Sequence, residues 1–184
     1  MERQEVLRWL ETHPALVNGI PETIVSRCES TVRRHAREDA WGTAKRFVSE
    51  RRTEHKDPIG AHASEAYVAR EVCHQVARDL LRHEPHYEAG DEDHLADPTV
   101  KASLDERGWT MLIPWILDVA RDEEHRTWLE ISRYTDRLAK NLIREHHLSG
   151  ETRFDDTKCY GEVAQRIESL LERDYALHIT SSQN

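Results

Sequence analysis

Glycine is scarce in this chain, with only seven in 184 residues. None stands in the Gly-x-x-x-x-Gly-Lys or Gly-x-Gly-x-x-Gly spacing by which backbone N–H groups cradle phosphates, so those nucleotide-binding chemistries have no support. Nor is there a Gly-x-Ser-x-Gly turn to present a nucleophilic serine. Cysteine is scarcer still. Cys28, Cys73 and Cys159 are odd in number and widely separated, without a Cys-x-x-Cys pair. They read as reduced thiols in a reducing cytoplasm, two or three of them packed as small apolar groups. No two of the twelve histidines are four positions apart, which removes the helix-borne zinc signature. Long apolar runs are also missing. The most apolar stretch is Met111 to Leu117, and Pro114 interrupts it. A transmembrane helix would need about 18 consecutive apolar residues or more. The opening Met1-Glu2-Arg3-Gln4-Glu5 lacks the apolar segment of a secretory signal. A cytoplasmic protein with no membrane association is expected.

Charge is abundant instead. Charged residues make up 33% of the chain and apolar residues 38%, with a formal net charge of −9. Such a balance disfavours a general nucleic-acid coat. Its distribution is uneven. Residues 1–56 hold 11 Lys and Arg against 9 Asp and Glu, whereas residues 84–106 hold eight acids and one lysine. The chain is expected to turn a mildly basic face and an acidic segment to different surroundings.

Apolar residues recur every three to four positions, the period of a helix that buries one stripe. Ile24, Cys28, Val32 and Ala36 form one stripe, which Trp41, Ala44, Phe47 and Val48 continue past a break expected at Gly42. Ala66, Ala69, Cys73, Val76 and Leu80 form another, widened by Val72, Ala77 and Leu81. Trp128, Ile131, Leu138 and Leu142, with Tyr134, form a third, and Val163, Ile167, Leu170 and Leu171 a fourth. Val6, Leu7, Trp9 and Leu10 mark a short first helix. Punctuation falls between them: Asn18-Gly19 with Pro21, then Asp57-Pro58 with Gly60, a solvated loop from Pro85 to Asp97, and Ser149-Gly150. Asp97-Pro98 has the form of an N-cap followed by proline at the first helical position. Ser103 with Glu106 fits a capping box whose helix Gly108 would cut short, leaving the long helix to begin near 122. Asp155 or Asp156 could cap the last helix, and Tyr175 to Ile179 is the one stretch with strand-like alternation. The pattern predicts an all-α, irregular multi-helix bundle of about six or seven helices. It would form a single domain over 1–184, within which sub-bundles 1–85 and 98–177 would be joined by the acidic loop 86–97. Ala44-Lys45-Arg46-Phe47-Val48 is echoed by Ala139-Lys140-Asn141-Leu142-Ile143, and Glu71-Val72, Val76 and Leu80 by Glu162-Val163, Ile167 and Leu171. This is either a duplicated helical hairpin or two amphipathic hairpins sharing helix-compatible residues.

Two constellations carry chemistry. A ferritin-like di-metal bundle uses Glu-x-x-His on a helix, in which the carboxylate bridges the metals and the imidazole fixes one. Glu71-Val72-Cys73-His74 has that form, and Asp122-Glu123-Glu124-His125 offers Asp-x-x-His. Glu71, His74, Asp122 and His125 are therefore the candidate ligands of a metal-binding alternative. Cys73 lies on the apolar stripe, which would place Glu71 and His74 at its flanks, so surface residues with no cofactor are the simpler expectation. The second constellation is basic and aromatic. Arg27, Arg33, Arg34, Arg37, Lys45, Arg46, Arg51, Arg52 and Lys56 crowd 27–56, and Trp109, Trp115 and Trp128 follow. Arginines bind phosphates and aromatics stack on unpaired bases. The competing expectation, that the three tryptophans are core, is preferred.

Residues 61–122 resemble region 2 of the extracytoplasmic-function sigma factors. Ala69-Arg70-Glu71-Val72 stands where that family's Asp-Ala-Glu-Asp-Leu-Val-Gln-Glu-Val motif ends. Trp115-Ile116-Leu117-Asp118-Val119-Ala120-Arg121-Asp122 is similar to its Trp-Leu-x-x-Ile-Ala-Arg-Asn helix. The resemblance implies docking on RNA polymerase through Arg70 and Glu71, and promoter DNA facing Trp115 and Arg121. The family's first helices would correspond to the basic segment with Arg33, Arg34 and Arg37. Ser64 and Tyr67 stand where the family has acids, and no C-terminal helix-turn-helix follows. The overall expectation is a non-enzymatic helical binding or regulatory module, either sigma-factor-like or a protein–protein adaptor.

Overall fold

The computed structural model describes residues 2–54, 65–145 and 165–173. Among these the chain is all-α. Its helices are α1 (Arg3–Thr12), α2 (Pro21–Glu54), α3 (Glu65–Arg82), α4 (Glu92–Leu95), α5 (Pro98–Ala102) and α6 (Glu106–Glu145), with a single 3-10 turn at Pro14–Leu16. Residues 165–173 are helical as well and are called α7. The expected signals at Asp57-Pro58, Gly60, Ser149-Gly150, Asp155, Asp156 and 175–179, together with Cys159, His146, His147 and the 162–164 part of the internal echo, lie outside the described residues.

Where side chains are described, the predicted stripes are largely the buried ones, with Phe47, Ala77 and Leu170 half-buried; Ala66, Ala69, Leu142 and Val163 are not among the described side chains. Ile24, Cys28, Val32 and Ala36, then Ala44 and Val48, are buried along α2. Val72, Cys73, Val76 and Leu80 are fully buried on α3, and Ile167 and Leu171 on α7. Leu81 departs from expectation: it is 53% exposed, one step beyond the face that Val76 and Leu80 bury. All three tryptophans are core, with Trp109 8%, Trp115 3% and Trp128 1% exposed.

Three expected interruptions are not interruptions. Helix α2 passes through Gly42, where a side chain would meet nothing within 4 Å. The expected break rested on glycine's weak helix propensity, a penalty of about 1 kcal/mol that a 34-residue helix absorbs through packing. Helix α6 begins at 106 rather than near 122, and runs 40 residues through Gly108 and Pro114. Its N-cap is Asp105, whose carboxylate accepts the Gly108 N–H at 2.7 Å. Ser103 instead closes α5, which opens as expected on the Asp97 cap and Pro98. Gly108 suits a close approach: a Cβ there would stand 3.2 Å from the Leu16 carbonyl oxygen, which would have to give by a few tenths of an ångström. That carbonyl accepts the Asp105 N–H at 3.0 Å, and the Asn18 N–H reaches the Ser103 carbonyl at 2.8 Å. The start of α6 is thereby tied to the turn after α1.

The third correction concerns the acidic segment. Residues 86–97 are not a solvated linker. They contain α4, and they bury Tyr87, Leu95 and Ala96. Accordingly the compact units do not follow the division 1–85 and 98–177. One unit comprises Met1–Ala40 with Pro85–Thr127, and the other Trp41–Glu84 with Trp128–Asn184. The cause is helix length. Helices α2 and α6 each run through both units, so each unit draws on both halves of the chain. The first unit has its own core, in which Val6, Leu7 and Leu10 of α1, Val25, Cys28 and Val32 of α2, Leu95 and Val100, and Leu112, Trp115, Ile116 and Ala120 of α6 come together.

Candidate functional site

The apolar stripe of α6 runs Leu112, Ile116, Ala120, and resumes at Trp128 and Ile131. Stepping by three or four residues through the gap lands on Glu123, Glu124 and Thr127. All three follow the stripe inward, with Glu123 1%, Glu124 0% and Thr127 1% exposed. Two adjacent carboxylates are thus carried into the interior of the first unit by helix geometry alone. Burying a charge is costly unless it is paired, and the two glutamates meet this requirement differently.

Glu123 is clasped from α2. The Arg33 Nη1 donates to its Oε2 at 2.9 Å, and the Arg37 Nη2 to its Oε1 at 2.6 Å. Arg126, one turn along α6, approaches Oε2 at 3.4 Å. Burial by itself would push this carboxyl up, but the hydrogen bonds and charges of Arg37 and Arg33 outweigh it and hold Glu123 below the usual carboxylate range. The network extends outward: Arg33 also donates to Glu29 at 2.8 Å, and Glu29 accepts from Arg3 of α1 at 3.1 Å.

Glu124 has no such clasp. Neither of its carboxylate oxygens, nor the Thr127 hydroxyl one turn on, has a hydrogen-bond partner. The His86 Nδ1 stands 3.0 Å from Oε1, within ion-pair range. Burial raises this carboxyl to about 7, with His86 pulling it back down and the Asp39 carboxylate pushing it further up. Around it the segment after α3 is pinned to both long helices. The Tyr87 hydroxyl donates to Asp39 at 2.9 Å, the His94 ring lies 3.3 Å from the same Asp39 oxygen, and His86 stacks on Tyr87 with ring centroids 4.7 Å apart. From α6, the Arg121 Nε and Nη2 donate to the Tyr87 carbonyl at 3.0 and 2.6 Å. Burial first, then Asp39, pushes the Tyr87 phenol well above its ordinary value, so it stays a donor.

One open feature of this unit is a polar cleft of about 350 Å³ between α1, α2 and α6. It is lined by Glu2, Arg3, Glu29, Arg33, Trp115, Asp118, Val119, Arg121 and Asp122. Three of the residues singled out in the sequence, Arg33, Trp115 and Arg121, therefore meet at one place, but not as a phosphate-binding face. Trp115 is the buried floor. Arg33 is committed to Glu29 and Glu123, Arg121 to the Tyr87 carbonyl, and Arg3 to Glu22 and Glu29. Arg37, outside the lining, is committed to Glu123, while Arg34 lies on the exposed side of α2 beside Glu38 and His35. Four carboxylates against three guanidiniums leave the lining with an acidic balance.

The remaining candidates are placed elsewhere. Arg70 is exposed on α3, and Glu71, half-buried, accepts from the Gln75 amide at 2.9 Å. His74 is exposed on the same helix in the second unit, and Asp122 and His125 are exposed on α6 in the first. Among the described residues no three His, Cys, Asp or Glu side chains are grouped so as to hold a metal ion. The Asp-Glu-Glu-His tetrad is used in the opposite sense to the one expected, with its outer residues in solvent and its inner two buried. Comparison with protein-family models, with curated proteins and with solved structures yields no match. The resemblance of 61–122 to sigma region 2 thus rests on the residues that suggested it.

Proposed function

We propose that this chain is a non-enzymatic helical binding module that recognises the basic segment of a protein partner at the cleft of its first unit. The observation that supports this most directly is the state of the cleft's charges: its three arginines are committed internally, while Asp122 is exposed and has no ion-pair partner among the described residues, and the carboxylates outnumber the guanidiniums. A cleft of this kind attracts cationic side chains, and Trp115 and Val119 give their alkyl stems an apolar floor. The acidic stretch 84–106 belongs largely to the same unit and adds the same sign of charge. A sigma-like role would need Trp115 and Arg121 turned toward DNA, and both are instead held within the unit. Glu124, with a carboxyl near neutrality beside a histidine, has the ingredients of a general acid or base. It is 0% exposed and not part of the cleft lining, so the cleft offers a substrate no approach to it.

The test is calorimetric titration of the intact chain with an arginine- and lysine-rich peptide and, in parallel, with duplex DNA, across a salt series. The expected result is peptide binding that weakens with salt and falls at least about tenfold in Asp122→Lys, as expected for loss of one close charge pair at about 1.4 kcal/mol per decade. Absence of peptide binding, or DNA binding that Asp122→Lys strengthens, overturns the reading.

A further inference from the structure

We propose that Glu124 and His86 form a protonation-controlled latch, which keeps segment 85–91 closed on α2 and α6 in mild acid and releases it above neutral pH. The inference stands independently of what the cleft binds.

Its basis is geometric. Three contacts join the segment to α2 and α6: His86 faces Glu124, the Tyr87 hydroxyl donates to Asp39, and Arg121 grips the Tyr87 carbonyl, while His94 of the adjoining α4 lies against the same Asp39. Glu124 lies wholly inside, with both oxygens unbonded, whereas the His86 side chain is 52% exposed. The charged and titratable groups facing this carboxyl are Asp39 from α2, and His86 and the Tyr87 phenol from the segment. Arg37 and Glu123 lie close in the chain and the fold, but they neutralise each other. Among the described residues no fixed cation therefore compensates Glu124.

One shared proton makes the closed arrangement neutral, whether it sits on the carboxyl or on the imidazole. Adding a second proton charges only the half-exposed imidazole, which water can solvate. Removing the shared proton is different in kind. It leaves an anion buried beside the Asp39 carboxylate, faced by a neutral ring that can donate a hydrogen bond but brings no positive charge. A buried uncompensated charge is relieved by hydration. The element able to move aside and admit water is the segment that carries His86, since α2 and α6 are long helices locked together by the Glu123 clasp.

Hydrogen exchange of the intact chain tests this, read as protection factors so that intrinsic pH dependence cancels. Between pH 6 and pH 8.5 the amides of 86–91 are expected to lose protection by about tenfold, since each pH unit beyond the titration point is a factor of ten. Amides near Val32 and Ile116 should keep theirs. Glu124→Gln, which carries no charge at any pH, should remove the pH dependence and leave the segment protected to within about twofold. A flat wild-type profile overturns the proposal without reference to any variant. So does a tenfold fall that persists in Glu124→Gln, which would assign the opening to Asp39 or His94.

Discussion

Two carboxylates side by side on α6 were given opposite surroundings. Glu123 faces α2, where Arg33 and Arg37 present guanidiniums, and it is held ionised. Glu124 faces the segment after α3, where the His86 imidazole stands 3.0 Å away, and burial raises it to about 7. One residue of rotation, about 100° around a helix, separates a structural ion pair from a proton-sensitive site. Burial alone therefore does not decide what an acid does in a helical core. The partner's ability to lose its own charge decides it, since a guanidinium keeps its proton at every pH the fold survives and an imidazole does not.

Removing the better-paired acid should have the largest effect. Glu123→Ala leaves two arginines facing one another without a counter-ion, and should lower stability by about 3 kcal/mol, seen as a drop in the urea midpoint with an unchanged slope. A change under about 1 kcal/mol would mean that the half-exposed arginines turn to solvent and that the clasp contributes little. Glu124→Leu should act in the opposite direction. At pH 8 it removes an unfavourable buried charge and should stabilise by on the order of 2 kcal/mol, a gain that shrinks toward zero near pH 5.

The same contrast sets the sign of the pH dependence. Glu123, lowered in the fold, contributes stability that is present above the ordinary carboxylate value and is lost as pH falls through its own. Glu124, raised in the fold, binds a proton more tightly folded than unfolded. Its contribution is present below the ordinary value of about 4.5 and is lost as pH climbs through about 7. Stability measured from pH 3 to 9 should rise and then fall, with Glu123→Gln flattening the acid limb and Glu124→Gln the neutral one. A profile in which Glu124→Gln alters the acid limb instead would reverse the assignment.

Smaller effects sharpen the comparison. Tyr87→Phe removes one hydrogen bond to Asp39 and should cost about 1 kcal/mol, read in thermal unfolding. Arg34, on the same helix as Arg33 and Arg37, is half-exposed and meets Glu38 and His35 rather than a buried acid. Arg34→Ala should change stability by less than about 0.5 kcal/mol in the same assay. A larger loss would mean that proximity to the clasp, rather than a buried partner, governs the arginines of α2.

Much of this molecule could be read from residue spacing. A side chain's position around a helix is a local property, set by 3.6 residues per turn, so the stripes at Ile24 to Val48 and Val72 to Leu80 and the cap at Asp97 were legible, as was the burial of the three tryptophans. The inward course of Glu123 and Glu124 was legible by the same rule. The sequence pattern drew attention to Asp122 and His125 because motif spacing was weighed ahead of the stripe. Helix ends were less legible. Gly42, Gly108 and Pro114 carry local penalties that tertiary packing overrides.

What the order of amino acids determined by itself is therefore the all-α class and which face of each helix turns inward, because both follow from periodicity along the chain. Tertiary structure alone decided that Arg33 and Arg37 meet Glu123, that His86 meets Glu124, and that the acidic segment closes over a core. Those pairings join positions up to about ninety residues apart, and no local rule couples residues at that distance. Their charge states follow from who meets whom in a medium that screens poorly, and only the packed chain supplies that.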